Sequence, residues 1–359
     1  MSTHTTRTSE PTSFGRITAL VLGLAAVVAG ILLAFSWPAV TSEPQNLPVA
    51  ISGETAQVQQ VAAALEENAA GILDLVEVES AGDARALIED RTVYGAIVLS
   101  QPPEVLTASA ASPVATQMLT GLAGRLQEVA NQAAAAQGIV LPEPIVVTVT
   151  DVVPLAETDP RGTGLASATF PLVIGGIVGG IAISLTVVGV WRRIGALLGY
   201  AVVGGLAIAG ILQGWFGVLQ GDFLPNSAAV ALALLAIAAP LVGLNTVLGR
   251  AGIALGVILF VLIANPIASA AAPPQFLPEP WGAVGAWFPP GAAATLLRDL
   301  SYFPAAEVGF PLAVLSAWAL GGLLLTLAGL VRNRRTDAVV PEPSHPSARE
   351  PQSEPALKA

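Results

Sequence analysis

The sequence predicts a polytopic α-helical membrane protein with six transmembrane helices and an extracytoplasmic α/β domain inserted between the first and second helices. Three observations lead to this prediction. The chain of 359 residues is 53% hydrophobic and only 11% charged, and its mean hydropathy is +0.71, far outside the range of soluble globular domains. Six apolar runs are long enough to cross a bilayer. After the first run, strand-like and helix-like patterns alternate.

The first apolar run, Ile17–Ser36, contains twenty uncharged residues and follows two arginines. At about 1.5 Å per residue it spans a hydrocarbon core of about 30 Å. The alternative is a cleaved signal peptide, because Ala34-Phe35-Ser36 fits a small-x-small cleavage site, but the run is longer than such peptides carry. We therefore expect residues 1–16 to be cytoplasmic and residues 17–36 to be a retained first span.

Residues 37–164 predict the extracytoplasmic α/β domain. Three amphipathic helical stretches, one opened by the capping box Ser80-x-x-Asp83, separate the strand-like segments. This order predicts a domain in which helices pack on a mixed or mainly parallel sheet. We expect this domain to fold on its own and to be attached to the membrane by two connections, to the first and second spans. The carboxylates fall on solvated helix faces, so no active site is predicted there. The strand-like segments are Leu47–Ile51, Leu73–Val78, Thr92–Leu99 and Pro144–Val153.

Five further apolar runs predict a five-helix membrane domain over residues 165–331. Each is long enough to cross with some tilt. Residues 332–359 are rich in Pro, Ser and Glu and predict a disordered cytoplasmic tail. The five runs are Leu165–Val190, Ile194–Leu219, Ser227–Leu248, Ala251–Ala271 and Val308–Val331.

The charges of the short loops predict the orientation. Trp191-Arg192-Arg193, Gly249-Arg250 and the arginines after the last span fall on one side, whereas Gln220-Gly221-Asp222 falls on the other. With both termini in the cytoplasm, the inside segments hold ten basic and five acidic residues, and the outside segments hold five basic and twenty acidic residues. The positive-inside rule therefore predicts a multi-pass protein of the cell membrane with both termini cytoplasmic.

Missing residue types exclude several kinds of chemistry. The chain has no cysteine, so it has no thiolate nucleophile and no cysteine-ligated metal. Its only histidines, His4 and His345, lie in polar tails and cannot supply a triad or a metal centre. The sole lysine, Lys358, is next to last, so no phosphate-binding loop exists and any ATP-driven role needs a partner. We expect no catalytic residue, no cofactor and no metal, and the chain lacks a basic footprint for nucleic acid.

A Gly-x-Gly motif within Asp159-Pro160-Arg161-Gly162-Thr163-Gly164 could suggest a dinucleotide loop. It precedes a membrane span and not the helix of a βαβ unit, so the nucleotide interpretation fails on context. We interpret Asp159, Pro160, Arg161 and Gly162 as a juxtamembrane turn that joins the extracytoplasmic domain to the second span.

Small and amide residues within the spans are candidates for helix packing or for a substrate pathway. Gly175, Gly176, Gly179 and Gly180 form two small-x-x-x-small pairs on one face of the second span, where either another helix of the chain or a homodimer partner could approach closely. Three amides in the apolar spans could line a substrate path, or they could form interhelical hydrogen bonds. These amides are Gln213, Asn245 and Asn265.

Residues 273–307 predict an interfacial or re-entrant segment before the last span. Its prolines prevent one continuous helix. After Pro289, apolar residues recur with helical spacing and polar residues occupy the other face. Tryptophan and tyrosine favour the membrane boundary, and an Arg-Asp pair is tolerated there or when buried in protein. We expect a short helix that gates an exit, with a surface loop as the alternative; the candidate gate residues are Pro290, Gly291, Leu297, Arg298 and Asp299.

Three segments resemble the permease subunits of type-2 ABC exporters, and among them the phage infection protein-like (YhgE/Pip-like) membrane proteins. Tyr94–Leu99 resembles a strand of their outside domains, Asp151–Gly162 resembles the approach to their second span, and Pro289–Phe303 resembles the segment before their last span. The resemblance implies a separate ATPase partner. The family's coupling helix is missing, because the loop after the second span is little more than Trp191–Ile194.

Two functions follow from these observations. The first is a permease subunit of a type-2 ABC exporter that moves a hydrophobic or lipid-like substrate outward and is powered by a separate ATPase. The second is a non-transporting envelope protein whose extracytoplasmic domain acts as a binding, phage-receptor-like or secretion-accessory module. The missing coupling helix means either that the cytoplasmic ends of the spans form the coupling surface or that the chain belongs to relatives that do not transport.

Overall fold

The computed structural model describes residues 12–136 and 143–337, and it begins with one long apolar helix, α1 (Phe14–Val40). The body of α1 packs against little else in the chain, since none of its most apolar stretch is buried. Near its C-terminal end, Phe35 meets Phe170 and Trp37 meets Trp281 edge to face. Exposed aliphatic side chains on every face of α1 suit an environment of lipid.

Strands and helices alternate after α1 and build one sheet with helices packed on it, here called the sheet unit. The central strand of this sheet, Gly95–Val98, is buried at every position, as expected for a continuous apolar run. The helix after the second strand begins at the predicted cap, where Ser80 Oγ accepts a hydrogen bond from Asp83 N at 3.1 Å. The elements are β1 (Leu47–Ser52), α2 (Thr55–Ala69), β2 (Leu73–Val78), α3 (Ala81–Glu89), β3 (Gly95–Val98), β4 (Glu104–Thr107), α4 (Pro113–Ala136) and β5 (Thr148–Asp151).

The sheet is mixed, with strand order β2-β1-β3-β4-β5. The β3–β4 pair is antiparallel and the other pairs are parallel. β4 has no counterpart among the predicted strands. The last strand is shorter than predicted because α4 holds the preceding backbone: Asn131 accepts from Ile145 N at 2.8 Å and donates to Ile145 O at 2.9 Å.

The next three helices form the centre of a bundle: α5 (Thr163–Thr186), α6 (Val190–Ala209), which continues as a π-helix to Trp215, and α7 (Phe223–Leu248). α7 is the innermost helix, since 72% of its most apolar window is buried. The connection between α5 and α6 is only Val187–Gly189. Arg193 holds it closed by donating to Val187 O at 2.9 Å, to Ser184 O at 3.0 Å and to Thr246 Oγ1 at 3.1 Å, which satisfies carbonyls at the end of α5.

The remainder of the described chain contains α8 (Arg250–Val257), a π-helix over Ile258–Ala264, a 3₁₀ turn at Pro274–Phe276, α9 (Trp281–Gly285), α10 (Pro289–Tyr302) and α11 (Gly309–Asp337). The helix predicted over Val308–Val331 therefore continues to Asp337. The rest of the predicted tail lies outside the described residues, as do residues 1–11 of the predicted N-terminal segment.

Five helices within residues 12–136 and 143–337 are long and apolar enough to cross a membrane: α1, α5, α6 with its π-helical end, α7 and α11. The protein is therefore a helical membrane protein. The fifth predicted span, Ala251–Ala271, corresponds to the shorter apolar helix Arg250–Ala264. Its second half is π-helical and Pro266 follows it closely, so the regular helix ends before the apolar sequence does.

The bundle has one end beside the sheet unit and one end away from it. Thr158 donates to Gly217 O at 2.6 Å, which places the α6–α7 turn beside the sheet unit. Gly249, after α7, therefore lies at the far end. Gln45 N and Glu43 N donate to Gln275 O at 2.9 Å and Phe276 O at 3.2 Å. The residues between Gly249 and Pro274 therefore connect the far end of the bundle to the end beside the sheet unit.

Candidate functional site

The predicted gate segment folds as α10, a helix buried between the sheet unit and the bundle. Pro289 and Pro290 occupy its first turn, where the missing N–H groups cost nothing. Position 291 has no room for a side chain larger than that of glycine, because a Cβ there would overlap the carbonyl oxygen of Gly285. Leu297 is buried in the bundle core beside Leu296. The helix is therefore embedded in protein, not laid on an open surface.

Asp299 of α10 pairs with a residue that sequence reasoning did not single out. Arg91 Nη1 donates to Asp299 Oδ1, and both side chains are largely shielded, at 12% and 5% exposure. Arg91 follows α3 with a left-handed backbone, φ +65°, and lies 5.9 Å from the centre of the Phe303 ring. The ion pair therefore links the sheet unit directly to α10, and Arg298 is not the partner of Asp299.

Arg298 and Tyr302 attach α10 to two further segments. Arg298, only 8% exposed, donates from Nη2 to Ala270 O at 2.8 Å. The Tyr302 hydroxyl donates to Val218 O in the α6–α7 turn at 2.7 Å. We call the group Arg91, Tyr94, Arg298, Asp299 and Tyr302 the junction, because it ties the sheet unit, α10 and the bundle together.

Burial shifts the pKa values of four junction residues. Desolvation raises the pKa of Asp299, and Arg91 and then Arg298 oppose that shift. Desolvation, with a smaller contribution from Arg91, lowers the pKa of Arg298 to about 10. Burial also raises the pKa of the Tyr94 and Tyr302 hydroxyls. Arg298 therefore stays charged, and both tyrosines stay neutral, at physiological pH.

The sheet unit shares its hydrophobic core with the segment before α11. Phe276 and Phe303 are 6% and 1% exposed, and they belong to the same buried cluster as Leu47, Ile97 and Leu106 of the strands. The sheet unit therefore contacts a further segment of the chain, in addition to the two connections that the sequence predicted. Residues 275–303 therefore attach the sheet unit to the segment before α11. Hydropathy does not reveal this attachment, because aromatic residues in this segment are equally expected at a membrane boundary.

A groove of about 780 Å³ lies in the bundle between α7, the helix Arg250–Ala264 and α11. Its walls are aliphatic side chains and Trp318; Gly321 and Gly322 of α11 also line it, and Gly321 leaves open space beside the helix. Leu324 at its edge is 64% exposed, so the groove opens sideways from the bundle. Such a surface suits hydrocarbon and offers nothing to a polar ligand.

The four glycines predicted for close packing face helices of the same chain. A Cβ at Gly176 would meet Ile237, one at Gly179 would meet Tyr200, and one at Gly180 would approach Ala238. Tyr200 also donates to Gly175 O at 2.6 Å. α6 and α7 therefore fill this face, which leaves it closed to a second copy of the chain.

The three amides proposed for a pathway are not brought together. Gln213 accepts from Asn226 at 3.0 Å and donates to Gly221 O at 2.8 Å, at the end of the bundle near the sheet. Asn245 lines a cleft at the far end with Arg193 and Thr246. Asn265 ends the π-helix. Sequence reasoning did not single out Asn226, which is fully buried, because it lies immediately before the predicted span Ser227–Leu248.

Asp159 caps the helix that follows the predicted juxtamembrane turn. Its carboxylate accepts from Thr163 N at 3.0 Å and from Gly164 N at 2.7 Å, at the start of α5. Gly162 adopts a left-handed φ of +64° immediately before that helix. Pro160 and Arg161 lie in the turn without contacting the junction residues through any described hydrogen bond or ion pair.

No protein-family model, curated protein or solved structure matches this chain. The resemblance to exporter permeases therefore rests on the three sequence segments named above. The site itself has to be interpreted from its geometry: a lateral apolar groove in the bundle, and a buried charged junction where the sheet unit meets α10.

Proposed function

We propose that this protein is the permease subunit of a type-2 ABC exporter, which moves a hydrophobic or lipid-like molecule outward and is powered by a separate ATPase. The observation that carries the proposal is the lateral groove between α7, the helix Arg250–Ala264 and α11. Its volume of about 780 Å³ and its aliphatic lining favour an alkyl chain that enters from the bilayer.

The proposal includes six membrane crossings with both termini cytoplasmic. The helix Arg250–Ala264 has 15 residues, which at about 1.5 Å per residue is short for a hydrocarbon core of about 30 Å. The return of the chain from Gly249 to Pro274 supports a crossing that is completed by the irregular residues after Ala264. On this topology the sheet unit is extracytoplasmic, and the arginines after α5, α7 and α11 are cytoplasmic.

Retention of lipid tests the groove. Gly321→Leu should fill it, because nothing lies within 4 Å of a Cβ at Gly321. Gly199→Leu is the matched control, since Gly199 of α6 is equally open but lies away from the groove. We expect mass spectrometry of the purified chain to show less co-purified lipid for Gly321→Leu only. Equal lipid retention in both variants and the unchanged chain would contradict a substrate groove.

Export requires the partner, and affinity purification from the native membrane tests for it. The chain lacks a phosphate-binding loop because its only lysine is Lys358. We expect a separate nucleotide-binding protein to co-purify, and the chain alone to hydrolyse no ATP. Vesicles that contain both proteins should move a fluorescent lipid only with ATP, and less in Gly321→Leu.

One observation favours the second candidate function, a non-transporting envelope protein with a binding or secretion-accessory module. The α5–α6 connection, Val187–Gly189, carries no helix that an ATPase could engage, and Arg193 holds it closed. Repeated purifications without any nucleotide-binding protein, together with vesicles that show no ATP-dependent lipid movement, would favour this function over the exporter.

A further inference from the structure

The junction holds two arginines and one carboxylate, which leaves one excess positive charge; Arg298 and Asp299 are buried, and the Arg91 side chain is 12% exposed. Asp299 is paired with Arg91. Arg298 has only the neutral carbonyl of Ala270 as a described hydrogen-bond acceptor. Asp299 is the one carboxylate that acts on Arg298 among the described residues. Asp159, which acts on the neighbouring Tyr302, is already bonded to Thr163 N and Gly164 N.

The excess charge cannot be removed by deprotonation at neutral pH. A guanidinium stays protonated under these conditions, and burial lowers the pKa of Arg298 only to about 10. A buried charge without a counter-charge is costly, so proteins normally pair it. The junction therefore calls for one negative charge that the described side chains do not supply.

A small cavity lies where that charge would sit. Its volume is about 20 Å³, enough for one water-sized group. Both charged side chains that line it are arginines, Arg91 and Arg298, and the hydroxyl-bearing residues Tyr94, Ser269 and Thr295 complete its polar lining. Asp299 is not part of the lining. Among the described residues, the cavity is lined by two cationic side chains and by no carboxylate.

Ser269 adds independent evidence for an occupant. Its Oγ is buried without a hydrogen-bond partner, and buried hydroxyls are normally partnered. A water molecule would satisfy the hydroxyl but not the charge, whereas a phosphate group with its four oxygens exceeds the space.

We infer that this cavity binds one monatomic anion, chloride in the physiological setting, held by Arg91, Arg298 and the hydroxyl of Ser269. The anion neutralises the junction and so stabilises the attachment of the sheet unit to α10. This site is separate from the lateral groove, and it does not depend on whether the protein transports anything.

Thermal unfolding of the full chain in detergent tests the site, with chloride, bromide or gluconate compared at equal ionic strength. We expect chloride and bromide to raise the midpoint saturably relative to gluconate, because a ligand that binds only the folded state stabilises it. Arg298→Met should still fold, since the Arg91–Asp299 pair remains balanced, and should lose the difference between halide and gluconate. The control Arg85→Met, in the partly exposed pair with Glu104, should keep that difference.

Ser269→Ala gives a second measurement that does not depend on the folding of Arg298→Met. It should raise the half-saturating chloride concentration by roughly tenfold, the effect of losing one hydrogen bond to an ion. Crystals grown in bromide should show an anomalous peak between Arg298 and Ser269. Equal midpoints in halide and gluconate, an equal halide response in Arg298→Met and the unchanged chain, or a cavity without an anomalous peak would each overturn the proposal; the last result would indicate water.

Discussion

Arg91 and Asp299 are 208 positions apart, yet at the residue scale their ion pair links the sheet unit directly to α10. A pair this shielded differs from a surface salt bridge. Its desolvation is costly, so its net contribution is small, but removing one partner strands the other charge. The Arg85–Glu104 pair, with side chains 41% and 25% exposed, is solvated and contributes little.

We predict that Asp299→Asn lowers the free energy of unfolding by about 3–5 kcal/mol, because it leaves two buried arginines without a carboxylate. Glu104→Gln should cost about 1 kcal/mol or less. Denaturant unfolding in detergent would compare the two variants. The double variant Arg91→Met/Asp299→Leu should recover much of the loss, since it removes both members of the pair. Equal effects of Asp299→Asn and Glu104→Gln would show that the junction pair is solvated.

At the element scale, α11 packs on α7 through the backbone of a proline. A Cβ at Gly322 would overlap the backbone of Ala239 and Pro240, whereas a Cβ at the adjacent Gly321 would meet nothing within 4 Å. In a bundle surrounded by lipid, close backbone approach at small residues holds helices together. Two neighbouring glycines therefore have opposite roles, since Gly322 permits the contact and Gly321 borders the groove.

We predict that Gly322→Ala destabilises the bundle by about 1–3 kcal/mol through overpacking. Gly321→Ala should be neutral or slightly stabilising, because alanine favours helix over glycine. The melting temperatures of the two purified variants would test this expectation. Equal melting temperatures would mean that α11 can shift away from Pro240 without cost.

At the scale of the whole molecule, the topology depends on the chain between Gly249 and Pro274. Three crossings by α5, α6 and α7 bring the chain to the end of the bundle away from the sheet. α10 and the 3₁₀ turn at Pro274–Phe276 contact the sheet unit, so in the proposed six-crossing topology the residues between Gly249 and Pro274 form the additional crossing.

We predict that single cysteines at Gln59, Asp222 and Glu279 are labelled by an impermeant maleimide on intact cells, whereas cysteines at Gly249 and Thr336 are not. The natural chain has no cysteine, so the background is clean. Labelling at position 222 but not at position 279 would contradict a sixth crossing. Labelling at position 336 would contradict the predicted orientation.

The sequence by itself determined the membrane class, because an apolar run of about twenty residues satisfies its own backbone only as a helix in lipid. It also located the helix at Pro289–Tyr302 and three of the strands, since their periodicities are local. β4 was missed because Glu104–Thr107 is too short to show a period. The helix within the predicted span Ala251–Ala271 ends at Ala264, before the apolar run does, which hydropathy alone cannot show.

Only the tertiary structure decided the candidate sites. Arg91 looks in the sequence like one more exposed arginine after a helix, and Arg298 and Asp299 look like each other's partners. The fold instead pairs Asp299 with Arg91, leaves Arg298 beside a cavity, and brings Phe276 and Phe303 into the core of the sheet. These outcomes depend on contacts between distant segments, which the packing of the whole chain sets and no local pattern records.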